Sequence, residues 1–438
     1  MTPAEVRDII RAARKAFDAW RRTPFSERAA VLREAGRVLR ADAPGLARLM
    51  AQEMGKPLAA GKSEIEKCAW ACEYYAEHAE RFLAPEQVET DATRSFVAFE
   101  PLGVVLAIMP WNFPFWQVFR FAAPALMAGN AAVLKHASNV PGCALAIEQI
   151  FRRAGLPENV FRTLLIDASA TAAVIRNPMV AAVTLTGSTE AGRAVAKAAG
   201  AKLKKTVLEL GGSDPYLILE DADLPHAARV CARSRLINSG QSCIAAKRFI
   251  VVEKARTEFE RLLVEEMRRA RLGDPLDPGT DLGPMARIDL RDDLHHQVRR
   301  SIEQGARCLL GGEIPARLGA FYPPTVLTDV KKGMPAYSEE LFGPVAAVIP
   351  VRNAKAAIRV ANDSAFGLGA AVFTRDILRG TEIATRELEA GACFVNGLVK
   401  SDPRLPFGGI KQSGYGRELS HFGIREFVNV KTVVIEGR

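Results

Sequence analysis

The chain has 438 residues, 48% of them hydrophobic and 25% charged, and this length predicts two or three domains. Its net charge of +9 comes from lysines and arginines scattered along the chain, without the aromatic-basic module of a nucleic-acid binder, which favours an ordinary solvated surface. A field that favours anionic small molecules is the alternative. The most apolar stretch, residues 104–129, contains Pro110, Pro114, Pro124 and Arg120, which excludes a membrane-spanning helix there.

Seven cysteines occur at spacings that match neither a zinc site nor a small disulfide framework. Cys68 and Cys72 lie four residues apart in a helical pattern, which is typical of a buried stripe. The first twenty residues contain Glu5, Asp8 and Asp18 and no serine, which argues against a transit peptide. We therefore expect a cytoplasmic protein in a reducing compartment, with no bound metal and no membrane association.

The predicted elements begin with helices, because apolar residues recur three and four apart across residues 3–82. Thr2 and Glu5 predict the cap of the first helix. From residue 103 strands and helices alternate. The predicted strands are 103–109, 131–135, 160–166, 181–186 and 205–210, and the predicted helices are 141–154, a short helix ending at 177, and 191–199.

The alternation restarts after residue 221. The predicted helices there are 225–237, 257–271, 290–305, 354–362 and 377–388, and the predicted strands are 247–252, 345–351, 369–373 and 392–396. Short apolar strands that alternate with helices predict the α/β class, with two domains that each contain a parallel sheet covered on both faces.

Two segments stand apart from this alternation. Residues 88–100 and 427–435 alternate polar and apolar side chains, as isolated strands do. Two interpretations are open: the strands pair with another subunit by edge addition, or they form an edge hairpin on the first domain.

Four short segments carry residues suited to chemistry, and we expect each to lie at a strand end. In residues 109–114 two prolines hold a turn that projects the neutral amide of Asn112, which suits an oxyanion in a transition state. A helix cap is the alternative role for this asparagine. In residues 186–192 a glycine-bearing turn precedes a helix start that offers N–H groups to phosphate, although many such turns only cap a helix.

The other two segments contain Glu209 and Cys243. Glu209 ends an apolar strand, where desolvation would raise the pKa of its carboxyl towards the range useful for a general base. If the strand end is instead exposed to water, the pKa of that carboxyl would stay near its ordinary value. Cys243 follows Gly240-Gln241-Ser242 and precedes Lys247 and Arg248, a basic setting that suits a reactive thiolate. A buried structural thiol is the alternative.

The joint order of these segments resembles the aldehyde dehydrogenase superfamily over nearly the whole chain. The matching segments are MPWNFP (109–114), TGSTEAG (186–192), LELGG (208–212), GQSC (240–243), EELFGP (339–344) and PFGGIKQSGYGRE (406–418). Further stretches, such as VLKHAS and GPMARIDLRDDLHHQV, are similar to the short bacterial succinate-semialdehyde dehydrogenases.

The resemblance implies two parallel-sheet α/β domains, an atypical Rossmann cofactor domain and a catalytic domain, with a β oligomerisation arm. It implies the following ranges: 1–86, 101–213 and 406–423 for the cofactor domain, 214–405 for the catalytic domain, and 87–100 with 424–438 for the arm. It also implies a homodimer or a homotetramer.

The resemblance further implies a role for each motif residue. Cys243 would attack the aldehyde, Asn112 and the Cys243 N–H would hold the oxyanion, and Glu209 would activate water to hydrolyse a thioester. The residues expected at the cofactor are Glu340 and Phe342 at the nicotinamide riboside, Gly187, Ser188 and Gly192 at the pyrophosphate, and Trp111 and Lys135 near the adenosine.

Ser138 bears on the choice between NADP and NAD. In family members that exclude the 2′-phosphate, an acidic side chain often lies three residues after the lysine that matches Lys135, and here that position is Ser138. A serine removes the repulsion and can donate a hydrogen bond to phosphate. We therefore predict that NADP is preferred and that NAD is also accepted.

Arg120 favours an aldehyde substrate that carries a carboxylate. It lies eight residues after Asn112, where succinate-semialdehyde dehydrogenases place an arginine that binds the distal carboxylate, and an arginine fork suits this role. A surface arginine on the same helix is the alternative. The other predicted substrate contacts are Phe113, Gln117, Ser401 and Arg404.

The expected reaction is oxidation of succinate semialdehyde to succinate. Glutarate semialdehyde or a broader set of aldehydes, a CoA-acylating reaction, and a non-catalytic structural role are the alternatives. Three departures bear on these expectations: Ile237 replaces a second carboxylate-binding arginine found in some members, Ala245 replaces a second cysteine, and the chain begins at a helix that relatives reach after about twenty residues.

Overall fold

The computed structural model describes residues 1–437. Its helices in these residues are α1 (Pro3–Trp20), α2 (Phe25–Met54), α3 (Leu58–Phe82), α4 (Trp116–Met127), α5 (Pro141–Arg153), α6 (Ala168–Arg176), α7 (Thr189–Gly200), α8 (Leu224–Leu236), α9 (Glu253–Arg268), α10 (Ile288–Glu303), α11 (Pro335–Ser338), α12 (Ala354–Asn362), α13 (Ile377–Glu382) and α14 (Ser420–Ile424).

The strands fall between and after these helices. They are β1 (Glu86–Val88), β2 (Arg94–Pro101), β3 (Val104–Met109), β4 (Ala131–His136), β5 (Phe161–Thr163), β6 (Val180–Thr186), β7 (Lys205–Glu209), β8 (Pro215–Ile218), β9 (Arg248–Val252), β10 (Arg307–Leu310), β11 (Thr325–Thr328), β12 (Val345–Val351), β13 (Phe366–Gly367), β14 (Gly369–Phe373), β15 (Ala392–Val395), β16 (Ile410–Lys411), β17 (Gly414–Tyr415) and β18 (Val428–Ile435).

The N-terminal helical region is confirmed, as three helices rather than one continuous run. The backbone N–H of Glu5 donates to Thr2 Oγ1 (3.3 Å), and the Thr2 N–H donates to Glu5 Oε2 (2.6 Å), which is the predicted capping box. α2 ends at Gly55, whose φ of 76° is left-handed, and α3 begins directly after Pro57. Lys56 therefore lies in the short link between two helices.

One sheet has the strand order β17-β7-β6-β3-β4-β5 in the described part of the chain. Its strands are parallel except for β17, which pairs antiparallel with β7 at the edge. The carboxyl ends of β3, β6 and β7 lie side by side. Three of the four predicted chemical segments follow these strands, so the sheet brings them to one edge.

The second sheet has the order β10-β11-β12-β9-β8-β14-β15, again within residues 1–437. Alternate residues of β8 and β9 face two separate cores: Leu217 and Ile250 pack in one, and Tyr216 and Phe249 in the other. Both faces of this sheet are therefore covered, as predicted. The sequence reasoning missed β8, β10 and β11, which are four residues long each and lie beside proline or glycine.

The two predicted arm segments pair with each other. β18 runs antiparallel to β2 from Val428 opposite Pro101 to Ile435 opposite Arg94, and β1 pairs with the other edge of β2. This three-stranded sheet is separate from the six-stranded sheet, and Phe427 and Val428 pack in the core beside the first sheet, so both interpretations stay open. Val430 and Val434 are exposed on β18. Arg438, the last residue of the predicted arm, lies outside the described residues.

The helices described between residues 1 and 437 include none that combines the length and apolar character needed to cross a membrane. In the same residues no three side chains of His, Cys, Asp or Glu are grouped as metal ligands would be. The cysteines described are all free thiols. The division of the chain into functional domains stays a prediction.

Candidate active site

Two cavities meet at Cys243. The first has a volume of about 570 Å³ and lies between α3, α4 and the loop before β9. The second, of about 280 Å³, lies at the carboxyl ends of β3, β6 and β7. Cys243 belongs to the wall of both, so its side chain can contact a ligand in either cavity.

Cys243 lies before a strand and not after one, which corrects the prediction that all four segments follow strands. It sits in the loop between α8 and β9 of the second sheet. Glu340 precedes β12 of the same sheet. The site therefore forms where the carboxyl edge of the first sheet faces loops at the amino ends of strands in the second sheet.

The turn before Cys243 has an unusual backbone. Asn238, Ser239 and Gly240 all have positive φ, at 54°, 56° and 76°. A Cβ atom on Gly240 would clash with the Gly343 carbonyl, so this position requires glycine. Left-handed non-glycine residues cost free energy and are often kept at functional sites, where the surroundings hold them in place.

The surroundings of Asn112 form a buried hydrogen-bond network. Its Nδ2 donates to the Gln241 carbonyl (3.1 Å), and its backbone carbonyl accepts from Lys56 Nζ (2.9 Å) and from Asn238 Nδ2 (2.7 Å). The backbone N–H of Cys243 donates no hydrogen bond within residues 1–437. The second N–H of the Asn112 amide and this backbone N–H are therefore available to an oxyanion beside the sulfur.

A buried ion pair between Lys56 and Glu64 supports this network. Lys56 is 1% exposed and pairs with Glu64, whose Oε1 accepts from the backbone N–H groups of Phe115 and Trp116, each at 2.9 Å. These N–H groups belong to the first turn of α4, where a carboxylate is favoured. Burial lowers the pKa of Lys56, and Glu64 opposes this change. The pair fixes the turn that carries Asn112 against α3.

Burial raises the pKa of Cys243 to about 12, although Arg120 and Lys247 act in the opposite direction. Lys247 therefore lies near Cys243, as predicted, but burial outweighs its effect on the pKa of the thiol. Lys247 Nζ donates to three backbone carbonyls of its own loop, and Arg248 donates to three others, so backbone oxygens hold both charges.

Glu209 ends β7 and is 2% exposed. Neither of its carboxyl oxygens has a hydrogen-bond partner within the described chain. Burial raises its pKa well above the ordinary value, Glu418 adds to the rise, and Arg120 opposes it. The predicted rise is confirmed. The carboxyl itself does not line either cavity, but its sequence neighbours Leu210 and Gly211 line the second.

The second cavity contains most of the predicted cofactor residues. Trp111 and Phe342 meet edge to face, with ring centroids 5.8 Å apart. Glu340 Oε1 accepts from the Gly212 N–H (3.0 Å) and lies 3.4 Å from Lys247 Nζ. These contacts fix the Glu340 carboxylate at the rim of the cavity.

The phosphate end of the cavity fits an anion. Ser188 caps α7, a helix of 12 residues, and accepts from the Ala191 N–H (3.2 Å). A Cβ atom on Gly187 would meet nothing closer than 3.7 Å, so this glycine leaves open space in front of the helix start. Gly192 is buried one turn further, against Leu210. The residues present therefore suit a dinucleotide with a pyrophosphate.

Lys135 and Ser138 lie outside the cavity wall. Lys135 is half-buried at the carboxyl end of β4, and burial lowers its pKa. Ser138 is exposed two residues beyond the strand. β4 is the neighbour of β3, so both residues lie along the same sheet edge as Trp111.

The first cavity contains four of the five predicted substrate residues, namely Phe113, Gln117, Arg120 and Ser401. Arg404 is not among the residues that line it. Its side chain is 64% exposed and pairs with Asp402, at 2.7 Å. Ile237, which replaces the arginine of some relatives, gives the wall an apolar surface.

Arg120 is 2% exposed and already has partners in the protein. It forms an ion pair with Glu418, and its Nη2 donates to Thr186 Oγ1 (3.2 Å). Its guanidinium also lies 4.8 Å from the centroid of the Phe407 ring. The alternative of a surface arginine is therefore wrong, but much of its charge is balanced by Glu418.

Sequence reasoning missed Lys56, Glu64, Lys67 and Glu418. Glu64 carries a usable signal, because it lies four residues before Cys68 and eight before Cys72 on the buried face of α3. A charged residue on an apolar helix face predicts a buried partner. Lys56 has no such pattern around it.

The comparisons with known proteins agree with this geometry. The model of the aldehyde dehydrogenase family matches residues 1–433. The chain is 50% identical to the succinate-semialdehyde dehydrogenase, NADP(+), of Mycobacterium leprae, covering 99% of this chain and 95% of that protein. It is 48% identical to a succinate semialdehyde dehydrogenase, NAD(P)+, of Escherichia coli, covering 98% and 93%.

A solved structure provides the same comparison in three dimensions. The succinic semialdehyde dehydrogenase of Streptococcus pyogenes, in complex with NADP+ as the cofactor, superposes with a TM-score of 0.97 at 38% identity and covers 100% of this chain and 96% of that chain. The family match, the shared fold and a cysteine placed between two ligand cavities agree, and the chain belongs to the aldehyde dehydrogenase family.

Proposed function

We propose that this protein oxidises succinate semialdehyde to succinate, with NADP preferred and NAD accepted. The single observation that carries the proposal is the position of Cys243 in the wall of both cavities. An aldehyde in the first cavity and a cofactor in the second would meet at its sulfur. The names of the relatives from Mycobacterium leprae and Escherichia coli support this substrate.

The first step is attack by Cys243 Sγ on the aldehyde carbon. The thiol proton passes to solvent water, the sulfur forms a C–S bond, and the π electrons of the carbonyl move to its oxygen, which gains negative charge. Asn112 Nδ2 and the Cys243 backbone N–H stabilise that charge, since one amide N–H of Asn112 is fixed by Gln241 and the other is free. When bound, the nicotinamide cofactor supplies the acceptor for the hydride that leaves the same carbon.

The second step is hydrolysis of the resulting thioester. Glu209 takes a proton from water, the oxygen of that water attacks the acyl carbon, and Cys243 leaves. The raised pKa of Glu209 makes its ionised carboxylate a stronger base towards water than an ordinary glutamate. Because its carboxyl lies just outside the cavity wall, we propose that the side chain rotates past Gly211 to reach the thioester.

The cofactor would be held along the first sheet. Glu340, Phe342 and Trp111 line the part of the cavity nearest Cys243, with Gly187 and Ser188 at the pyrophosphate. Gly192 supports the same helix start, and Lys135 and Ser138 extend the site along the sheet edge towards the adenosine. Ser138 brings no negative charge to a 2′-phosphate, which supports the preference for NADP.

The substrate would lie in the first cavity, with Phe113 and Gln117 beside its carbon chain and Arg120 and Ser401 towards its carboxylate. Nothing in the arrangement of Arg404 favours the role first assigned to it, because that side chain faces Asp402. The net positive charge of the chain supports an anionic substrate.

We further propose that the chain works as a homodimer or homotetramer in the cytoplasm. The exposed valines of β18 support subunit contact through the three-stranded sheet. The free cysteines of the described chain support a reducing compartment. The six-stranded sheet would bind the cofactor, the seven-stranded sheet would carry the nucleophile, and the three-stranded sheet would join subunits.

The test is steady-state kinetics on succinate semialdehyde, glutarate semialdehyde and butanal, each with NADP and with NAD. We expect the highest kcat/KM for succinate semialdehyde with NADP, and no NADPH from the Cys243→Ala variant. A tenfold higher efficiency with NAD would contradict the cofactor preference. A stimulation by added CoA would contradict hydrolysis as the second step.

A further inference from the structure

The charged residues around the first cavity differ in how well they are balanced. Four cationic side chains line it, namely Lys67, Arg120, Arg233 and Lys400. Arg233 and Lys400 are exposed to solvent, and Arg120 is paired with Glu418. No carboxylate of residues 1–437 lies within 4 Å of Lys67 Nζ. Lys67 is therefore the partly buried cation of this wall that lacks a countercharge.

Lys67 is also held in position. It lies on α3, one turn after Glu64, and its Nζ donates to Ser401 Oγ (2.7 Å). The same nitrogen lies 4.3 Å from the centroid of the Trp116 ring. A serine and an aromatic face place the ammonium group but do not neutralise it.

We infer that Lys67, together with Ser401, binds the distal carboxylate of the substrate, an inference that rests on the proposed function and adds a specificity residue to it. Ser401 accepts its hydrogen bond from Lys67, so its own hydroxyl hydrogen is free for a carboxylate oxygen. One carboxylate oxygen would accept a hydrogen bond from the Lys67 ammonium, and the other would accept one from the Ser401 hydroxyl. Charge-assisted hydrogen bonds of this kind are the strong ones.

Ile237 explains why a lysine is needed here. The cavity lacks the second arginine of some relatives at that position, and the Arg120 guanidinium is shared with Glu418 and Thr186. A substrate carboxylate would therefore meet little net charge from Arg120 alone. Lys67 comes from another element, α3, and supplies the missing positive charge.

The burial of Lys67 is consistent with a binding role. Burial and the nearby Arg120 lower its pKa to about 8, whereas Asp402, Glu64 and Cys68 act in the opposite direction. A half-buried ammonium without a carboxylate is destabilised, and a bound anion removes that cost. Substrate binding would thus return the pKa of Lys67 towards its ordinary value.

The test compares four forms of the full chain: wild type, Lys67→Met, Lys67→Arg and the control Lys62→Met, which changes an exposed lysine on the same helix. Methionine keeps the length of the stem and removes the charge. KM and kcat are measured for succinate semialdehyde and for butanal, and the inhibition constant of succinate is measured beside them. Thermal melting reports on folding.

For Lys67→Met we expect KM for succinate semialdehyde and the inhibition constant of succinate to rise about tenfold or more, with butanal changed less than twofold. Lys67→Arg should recover part of this loss, and Lys62→Met should match wild type. If Lys67→Met keeps the wild-type preference for succinate semialdehyde over butanal, the inference is overturned while the proposed function stands. If wild type itself shows no such preference, the proposed substrate is wrong instead.

Discussion

Asn112 and Glu209 follow or end neighbouring parts of the same sheet edge, and their surroundings are opposite in kind. Asn112 belongs to a network in which Lys56 and Asn238 hold its carbonyl and Gln241 accepts from its amide. Glu209 is equally buried, yet both its carboxyl oxygens lack hydrogen-bond partners in the described chain. One polar group is held by several bonds and the other is left free.

The difference follows from the chemistry that each group is proposed to perform. An oxyanion donor works best when it is fixed in advance, because reorganisation during the reaction costs free energy. A base must change its protonation state and reach water, so a carboxylate locked by donors would have a lowered pKa and little freedom. The free energy lost by leaving Glu209 unpaired is the cost of keeping it reactive.

The largest effect should come from Glu209→Gln, which removes the base and keeps the shape. We expect steady-state turnover to fall by about 10² to 10⁴-fold, while one equivalent of NADPH still forms in a rapid first turnover. In wild type the hydrolysis rate should rise with pH, because the pKa of Glu209 is raised and only its ionised form accepts a proton. Stopped-flow measurement of NADPH across pH checks both points, and a variant without a burst would contradict the assigned step.

The substitution Lys56→Met removes the hydrogen bond to the Asn112 carbonyl and the ion pair with Glu64. This change leaves the Glu64 carboxylate buried without its countercharge, and we expect the free energy of unfolding to fall by about 3–5 kcal/mol. Urea denaturation measures it. The double variant Lys56→Met with Glu64→Gln should recover part of the loss. The exposed pair of Arg37 with Glu34 provides the control, since Arg37→Met should change little.

The smallest effect concerns the pH dependence of substrate preference. Lys67 carries its charge below its pKa of about 8 and loses it as pH rises through that value. The ratio of kcat/KM for succinate semialdehyde to that for butanal should therefore fall by about tenfold between pH 7 and pH 9. Titration of Cys243 and Glu209 affects both substrates and cancels in the ratio. Lys67→Arg should flatten the profile, and a flat wild-type profile would contradict the assignment.

Most helices and strands could be predicted, because hydrophobic period and helix caps are local. The helical character of residues 3–82 and the parallel strands of the first sheet follow from residue spacing alone. β8 could not be predicted, since it is short, begins at Pro215 and gains its stability only between β9 and β14. The basic residues after Cys243 favoured a reactive thiolate. The sequence alone does not show that backbone carbonyls hold Lys247 and Arg248.

The sequence by itself determined which residues can do the chemistry. Cys243, Asn112 and Glu209 stand in short segments whose order and residue types are specific. The tertiary structure determined which other residues contact the substrate cavity and how their charges are balanced. Lys67 and Ser401 are 334 residues apart in the chain, and they meet because α3 packs beside the loop before β16. Charge balance depends on such distant contacts, so only the folded chain distinguishes the paired Arg120 from the unpaired Lys67.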